Sequence, residues 1–354
     1  MVLHKRLLQA AVMLILTGFS LISCFRQNTD EPEAVETTAV PVQKEKILYV
    51  DSYNLDYPWI QGITRGILNT LDITRDESGE LDNSKSLYDL RIFHMETKRY
   101  PEQVHIQKAA LDALALIEEW KPDVIITSDD NAAKYLVVPY LMESDIPIVF
   151  CGINWDASVY GFPTQHITGM IEVNLIDKMV EELKRYGKGD RIGYIRDHST
   201  TSLKESEHYE SLLQTGIQKK FPTSFSEWKD DFLTLQKQVD MILVGYPIAL
   251  EDWDGNTEPY ATFLNENTRI PTGSWDQWTS SWVLLSFSLE AEEQGEYAAS
   301  TAMRILDGES PSSIPVVRNQ KARIFLNMDM ARQLDVQFPM DLIEMAHIVD
   351  HRED

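Results

Sequence analysis

The chain has 354 residues, 43% hydrophobic and 25% charged, which is the length of two packed domains and the composition of a globular protein, and excludes a disordered tail, a collagen-like rod and a multi-span membrane protein. With 56 Asp+Glu against 32 Lys+Arg the formal charge is −24, and so acidic a surface repels phosphate backbones, whose sequence-independent attraction rests on Lys and Arg. No nucleic-acid partner is expected.

The chain opens on His4, Lys5 and Arg6, continues with an apolar stretch from Leu7 to Ile22 broken mainly by Gln9, Thr17, Gly18 and Ser20, and reaches Leu21-Ile22-Ser23-Cys24. A charged start, a short apolar run and small residues before a cut make a secretory signal, and the run is too short and broken for a comfortable spanning helix. Its ending resembles the bacterial lipobox. Residues 1–23 are therefore expected to be a lipoprotein signal peptide, with Cys24 the lipidated first residue of the mature chain; the alternative is an uncleaved anchor helix. Either places the body outside the cytoplasm, on a bacterial membrane. Residues 24–45 hold almost no large apolar side chains and read as a disordered tether. Lipidation of Cys24 leaves Cys151 without a disulfide partner. In the apolar run Ile146-Pro147-Ile148-Val149-Phe150, Cys151 reads as a small buried hydrophobe.

Beyond the tether, short apolar runs alternate with helical patterns. Strands are expected at 46–50, 90–95, 124–127 and 148–150, with helices between them at about 58–71, 101–120 and 131–143. In the second helix Ile106, Ala109, Ala110, Ala113, Leu114 and Ile117 share one side. Alternation of this kind implies a parallel sheet covered on both faces. After a crossing near 166–174 the plan restarts, with helices at 175–186, 203–219 and 260–267 and strands at 191–195 and 241–244. The tail adds a helix at about 295–306, a strand at 322–326 and a helix at 328–334. The fold class is α/β, with two Rossmann-like lobes of parallel sheet joined by a hinge.

In open parallel sheets ligands bind beyond the carboxyl ends of the strands. The strand-exit segments carry an aromatic, a carboxylate and a hydroxyl or amide more than once, and aromatics recurring in successive exits are poorly explained by turn chemistry alone. Tyr53, Trp59, Trp155, Tyr246, Trp275 and Trp278 are the candidates for stacking or apolar contact. Ser128 and Ser199 are candidates for hydrogen bonds to an anionic group, with Ser52, Asn154 and Thr200 beside them; Asp129, Asp156 and Asp276 are candidates for pairing an ammonium or accepting sugar hydroxyls. Helix starts near Ser128 and at Ser202-Leu203-Lys204-Glu205, which fits a capping box, offer N–H groups to an anion, though Ser202 and Glu205 also serve to satisfy their own helix.

Catalytic constellations are thin. The chain holds no Gly-x-Ser-x-Gly elbow, phosphate loop, dinucleotide fingerprint or His-Glu-x-x-His. His347 and His351 are spaced to share a helix face but have no evident third ligand. Asp129-Asp130 would be the acid-base pair of a hydrolase, yet helix capping accounts for at least one of them. No cofactor, metal or catalytic residue is expected.

The body, from about 46 to 350, resembles the ABC-transporter substrate-binding family of type I periplasmic-binding fold, which includes tryptophan- and tyrosine-binding lipoproteins. The resemblance is carried in order by Pro122 to Thr127, Asp145 to Phe150, Ile167-Thr168-Gly169-Met170, Gly295 through Gly308-Glu309-Ser310-Pro311 to Val316, and Leu326-Asn327-Met328 with Leu334 and Pro339. It implies capture of a small polar or amphipathic, ring-containing solute by lobe closure, and an ABC permease as partner. Tyr49 to Trp59, with Met95 to Arg99, is similar to a branch that forms the sensing half of membrane histidine kinases, which makes a receptor kinase the alternative partner. The hinge implied by the family places one lobe at 46–168 plus 285–312 and the other at 169–284 plus 313–350.

Overall fold

A computed structural model describes residues 44–350. The signal peptide, Cys24 and the tether up to residue 43 lie outside the described residues, and Glu45, at the expected end of the tether, already opens the first strand. The first part of the chain runs β1 (Glu45–Asp51), α1 (Pro58–Thr70), a small hairpin of β2 (Thr74–Arg75) and β3 (Leu81–Asp82), β4 (Tyr88–His94), α2 (Gln103–Trp120), β5 (Val124–Ser128), α3 (Asp129–Ala132) widening into a π-helical segment (Ala133–Leu141), β6 (Ile148–Asn154) and β7 (Ile167–Glu172). The second runs α4 (Ile176–Lys184), β8 (Ile192–Ile195), α5 (Thr200–Leu213), β9 (Ile217–Lys220), α6 (Phe225–Leu235), β10 (Met241–Val244), α7 (Glu258–Asn267), β11 (Thr272–Ser274) and β12 (Leu285–Leu289). The last part runs α8 (Ala291–Leu306), β13 (Val317–Arg318), β14 (Ala322–Asn327), α9 (Met328–Gln333), α10 (Met340–Met345) and β15 (Ala346–Val349).

Two sheets organise these elements, in the orders β13-β7-β6-β5-β1-β4 and β15-β14-β12-β11-β10-β8-β9. The first is parallel throughout, and the second is parallel except where β12 meets β14. Strands buried along their whole length, such as β5 and β10, need cover on both faces. In β1 the period of two divides the work: Leu48 and Val50 pack with Ile106, Ala110, Ala113 and Ile117 of α2, while Ile47 and Tyr49 pack with Ile63 and Ile67 of α1 and Ala298 and Ala302 of α8. Cys151 is buried on that second face, and burial pushes its thiol up.

The chain passes between the sheets three times, after Glu172, at Glu290 and between Arg318 and Ala322. These crossings correct the expected lobe boundaries: β7 pairs with β6 and stays in the first sheet, β12 pairs with β11 in the second, and β13 returns to β7. Local pattern marks a strand but not its neighbour, which is chosen by packing in space. The crossings are tied to one another. Val173 N–H donates to Asn319 Oδ1 at 2.8 Å, and Gln320 and Lys321 N–H donate to the Glu293 carboxylate at 2.8 and 2.7 Å.

Two element readings also change. The helix expected over 203–219 stops at Leu213, where Gln214 turns left-handed, and the chain re-enters the sheet as β9. His347 lies on strand β15 with its ring 5.1 Å from Phe325, so no shared helix face forms there, and His351 lies outside the described residues. Among the described residues no helix is long and apolar enough to cross a membrane.

Candidate functional site

The carboxyl ends of both sheets open on one cleft of about 520 Å³, within the usual range of roughly 300–1,000 Å³ for small-molecule sites. The first lobe contributes Tyr57, Trp59, Gln61 and Arg65 from the start of α1 and Glu172 from the end of β7. Facing them are Arg196 after β8, Thr201 and Glu205 on α5, and Trp275 to Trp278 after β11; Asn174, Ser288 and Arg323 lie at or beside the crossings.

Of the residues expected from sequence, Trp59, Trp275, Asp276 and Trp278 line this cleft. Trp59 is anchored, its Nε1–H donating to Asp129 Oδ1 at 3.0 Å. Trp275 is locked by a stack on Tyr194 with ring centroids 5.9 Å apart and an edge contact to Tyr209 at 5.1 Å. Trp278 is 69% exposed, an open ring at the cleft mouth. Tyr53 lies beside the lining, edge-on to Tyr57 at 5.3 Å, and Lys98 Nζ sits over both rings at 4.1 and 3.6 Å.

The structure places the other expected residues outside the lining, mostly in service of their own backbone. Ser52 Oγ donates to the Ser128 carbonyl at 2.7 Å and accepts from Ala132 N–H, and Ser128 Oγ meets the Tyr49 hydroxyl at 3.0 Å. These bonds join the β1 and β5 exits beneath the cleft. Asn154 donates to Asp130, Asp156 caps the turn at Ser158, and Ser199 caps α5 by accepting from Ser202 N–H. Thr200 is exposed on the first turn of α5. Tyr246 packs between Trp253 and Trp282. Trp155 crosses to the other lobe, stacking on His208 at 4.7 Å. Short polar side chains near helix starts and turns are taken by local N–H groups first, which accounts for this redistribution. It also corrects the capping box: Ser199, not Ser202, is the cap, and Glu205 turns to Arg196.

The walls are electrically unlike. On the first lobe Asp129 is buried with no hydrogen-bond partner at Oδ2. Burial pushes its carboxyl up to about 8 and Asp51 adds to the rise, against the opposing bonds from Ser128 and Trp59 and the charge of Lys98. Burial, followed by Asp129 and Asp130, holds Glu172 well above the carboxylate range, with Lys98 opposing. On the second lobe Arg196 pairs with Glu205, which also accepts from the Tyr194 hydroxyl at 3.0 Å. The guanidinium carbon lies 6.0 Å from the Trp275 ring, and Nε is buried without a partner. Asp276 is pushed up to about 6 by burial, with Arg196 opposing. The cleft therefore carries Trp59 and Glu172 on one wall and Trp275, Trp278, Asp276 and the Arg196 guanidinium on the other.

Sequence reasoning missed Tyr57, Glu172, Asn174, Arg196 and Glu205. Tyr57 and Arg196 stand within strand-exit segments, so an aromatic and a cation at an exit were usable signals. Glu172 had none, because β7 was read as a crossing rather than a strand.

Comparison with known proteins agrees with this arrangement. A family model described as ABC transporter substrate binding protein matches residues 262–349. A tyrosine-binding protein of Clostridioides difficile (strain R20291) is 23% identical over 349 residues, covering 95% of this chain and 94% of its own. Among solved structures, the ligand-free, open form of a substrate-binding protein with adhesive properties from Clostridium difficile superposes with a TM-score of 0.64 at 20% identity, covering 86% of this chain and 99% of that one. An ABC domain in complex with L-Trp from Streptococcus pneumonia gives 0.52 at 17% identity, covering 87% and 100%. The expected resemblance to ABC-transporter substrate-binding proteins and the two-lobed α/β fold are both borne out.

Proposed function

We propose that this chain, which is similar to ABC-transporter substrate-binding proteins and shares their type I periplasmic-binding fold, captures a small ring-containing amphipathic solute outside the cytoplasm and delivers it to an ABC permease. The observation that carries the reading is the cleft itself, in which Trp59 and Glu172 of one lobe face Arg196, Trp275 and Trp278 of the other. A solute between them gains both sets of contacts only when the lobes are together, so binding raises the closed population. The rings suit an aromatic or other planar portion, and the Arg196 guanidinium, with one N–H lacking a partner, suits a carboxylate. The names of the similar proteins, one tyrosine-binding and one solved with L-Trp, make aromatic amino acids the first solutes to try. The hydroxyl and carboxylate positions expected from sequence remain reserve contacts that a closing movement would have to bring in.

Anchoring through Cys24 is part of the proposal and rests on the Leu21-Ile22-Ser23-Cys24 ending. Cys24→Ala is expected to leave the protein unlipidated and to abolish its recovery with membranes. For the binding reading, native mass spectrometry of freshly purified protein is followed by a thermal-shift series with amino acids, sugars and nucleosides. A ligand selective for the folded form at a hundred times its dissociation constant raises stability by about 2.7 kcal/mol. The same series should quench or shift the tryptophan emission, since three tryptophans line the cleft. Recovery of the bound solute unchanged after long incubation separates capture from a hydrolase. If no solute shifts the transition and none copurifies, the reading fails.

A further inference from the structure

Resting on that reading, the geometry points to Glu172 as the residue that receives a protonated amine on the ligand. Glu172 closes β7, the last main strand before the chain leaves the first lobe, so its side chain stands where the two lobes approach. It lines the cleft, and among the described residues none donates a hydrogen bond to its carboxylate, whereas the other carboxylates of the lining with clear partners, Glu205 and Glu292, are held by Arg196 and Arg65. A carboxyl group at the wall of a partly desolvated cavity needs either a donor or a proton. Behind it lies Asp129, whose Oδ2 is buried and without a partner and whose Oδ1 holds the Trp59 indole that lines the same wall.

The groups that face Glu172 decide which donor is used. Asp129 and Asp130 on α3 disfavour its ionisation, and Lys98 favours it more weakly. Tyr53 and the buried Cys151 thiol are themselves pushed up in part by Glu172. Lys98 is held over the rings of Tyr53 and Tyr57. On the facing lobe Arg196 is committed to Glu205, and beyond β7 Arg318 is committed to Asp177. None of these cations donates a hydrogen bond to Glu172, so the empty site favours the protonated carboxyl. When a ligand ammonium arrives, the Glu172 O–H bond breaks, its proton goes to solvent, and the carboxylate accepts the ammonium N–H in a charge-assisted bond. Capture of an amine therefore releases one proton.

Calorimetry on the mature chain tests this with three probes: L-tyrosine, tyramine, which keeps the amine and lacks the carboxylate, and 3-(4-hydroxyphenyl)propionate, which lacks the amine. The indole series of L-tryptophan, tryptamine and indole-3-propionate is run beside them. L-tyrosine and L-tryptophan are each expected to bind at least about tenfold more tightly than the corresponding amine-free acid, from the loss of one charge-assisted bond. Their heats should differ between phosphate and Tris buffers by the ionisation of one proton. Affinity should rise with pH as long as the empty site still holds its proton, with a limiting slope of about tenfold per pH unit for one proton released. Glu172→Gln, which keeps the shape, should fold with an unchanged melting transition, lose the preference for the amine and lose the buffer dependence while still binding the ring. If the propionates bind as tightly as the amino acids, or if Glu172→Gln leaves the proton count unchanged, the assignment is overturned and the solute-binding reading stands. If neither series binds to folded protein, that reading falls and takes the assignment with it.

Discussion

Trp59 does two jobs with one side chain, offering a ring to the cleft and donating its indole N–H to Asp129 Oδ1 at 3.0 Å. Trp59→Phe keeps the ring and removes the donor, leaving a buried acceptor unmatched, and is expected to destabilise the protein by about 1–3 kcal/mol, read from the urea midpoint. Asp129 also sets a pH dependence whose sign can be worked out. Its carboxyl ionises at about 8 in the folded chain and near 4 when unfolded, so between these values the folded state holds the extra proton. Stability from this group is therefore complete at acid pH and is lost as pH rises from about 4 toward 8. Asp129→Asn is expected to flatten the fall in melting temperature across that window. Asn tolerates the left-handed backbone found there, φ 69°, so the variant should fold. That Trp59 lines the cleft, with Asp129 bonded behind it, was legible from strand exits. That Ser52, Ser128, Ser199 and Asp156 would be absorbed by their own turns was not, because a short polar side chain looks alike whether it faces a solute or a backbone N–H.

Among the elements, α1 and α8 form the tightest pair, and three glycines allow it. A Cβ on Gly66 would lie 2.3 Å from the Glu292 carbonyl oxygen, and one on Gly295 would lie 2.0 Å from that of Ile63. Backbone cannot yield as a flexible side chain does. Gly295→Ala is expected to cost about 3 kcal/mol or more despite the better helix propensity of Ala, since overpacking outweighs the ~1 kcal/mol that Ala gains; equilibrium unfolding measures it. The pairing matters to the cleft because α8 begins at the crossing residue Glu290 and Arg65 of α1 holds Glu292 at its start. Most strands and helices of the first lobe were readable from periodicity, since Ile47 to Val50 and Val124 to Ile126 are continuous apolar runs. Helix α6 and strand β9 were not, because Gly216 and the short polar β9 interrupt the pattern, and α5 ends where Gln214 takes φ 50°.

At the scale of the described residues, two main sheets are joined by three crossings that are hydrogen-bonded to one another. Trp155 adds a contact away from the crossings. It holds φ 63°, an uncommon backbone for a bulky residue, while its ring stacks on His208 of the opposite lobe with planes 4° apart. Such strain persists only where surrounding contacts impose it, so Trp155→Ala is expected to release the lobes: the radius of gyration of the ligand-free protein in small-angle scattering should rise, and a saturating ligand should bring it back down. No change in either quantity would count against a closing cleft. The order of apolar runs, breakers and helix faces along this chain was enough to announce α/β lobes, because those patterns are local and each segment must hide its own apolar side. Which strand lies beside which, where the chain crosses, and which carboxyl is stripped of water depend on neighbours distant in sequence. Hence β7, β12 and Glu172 acquired their places only when the sheets were packed together.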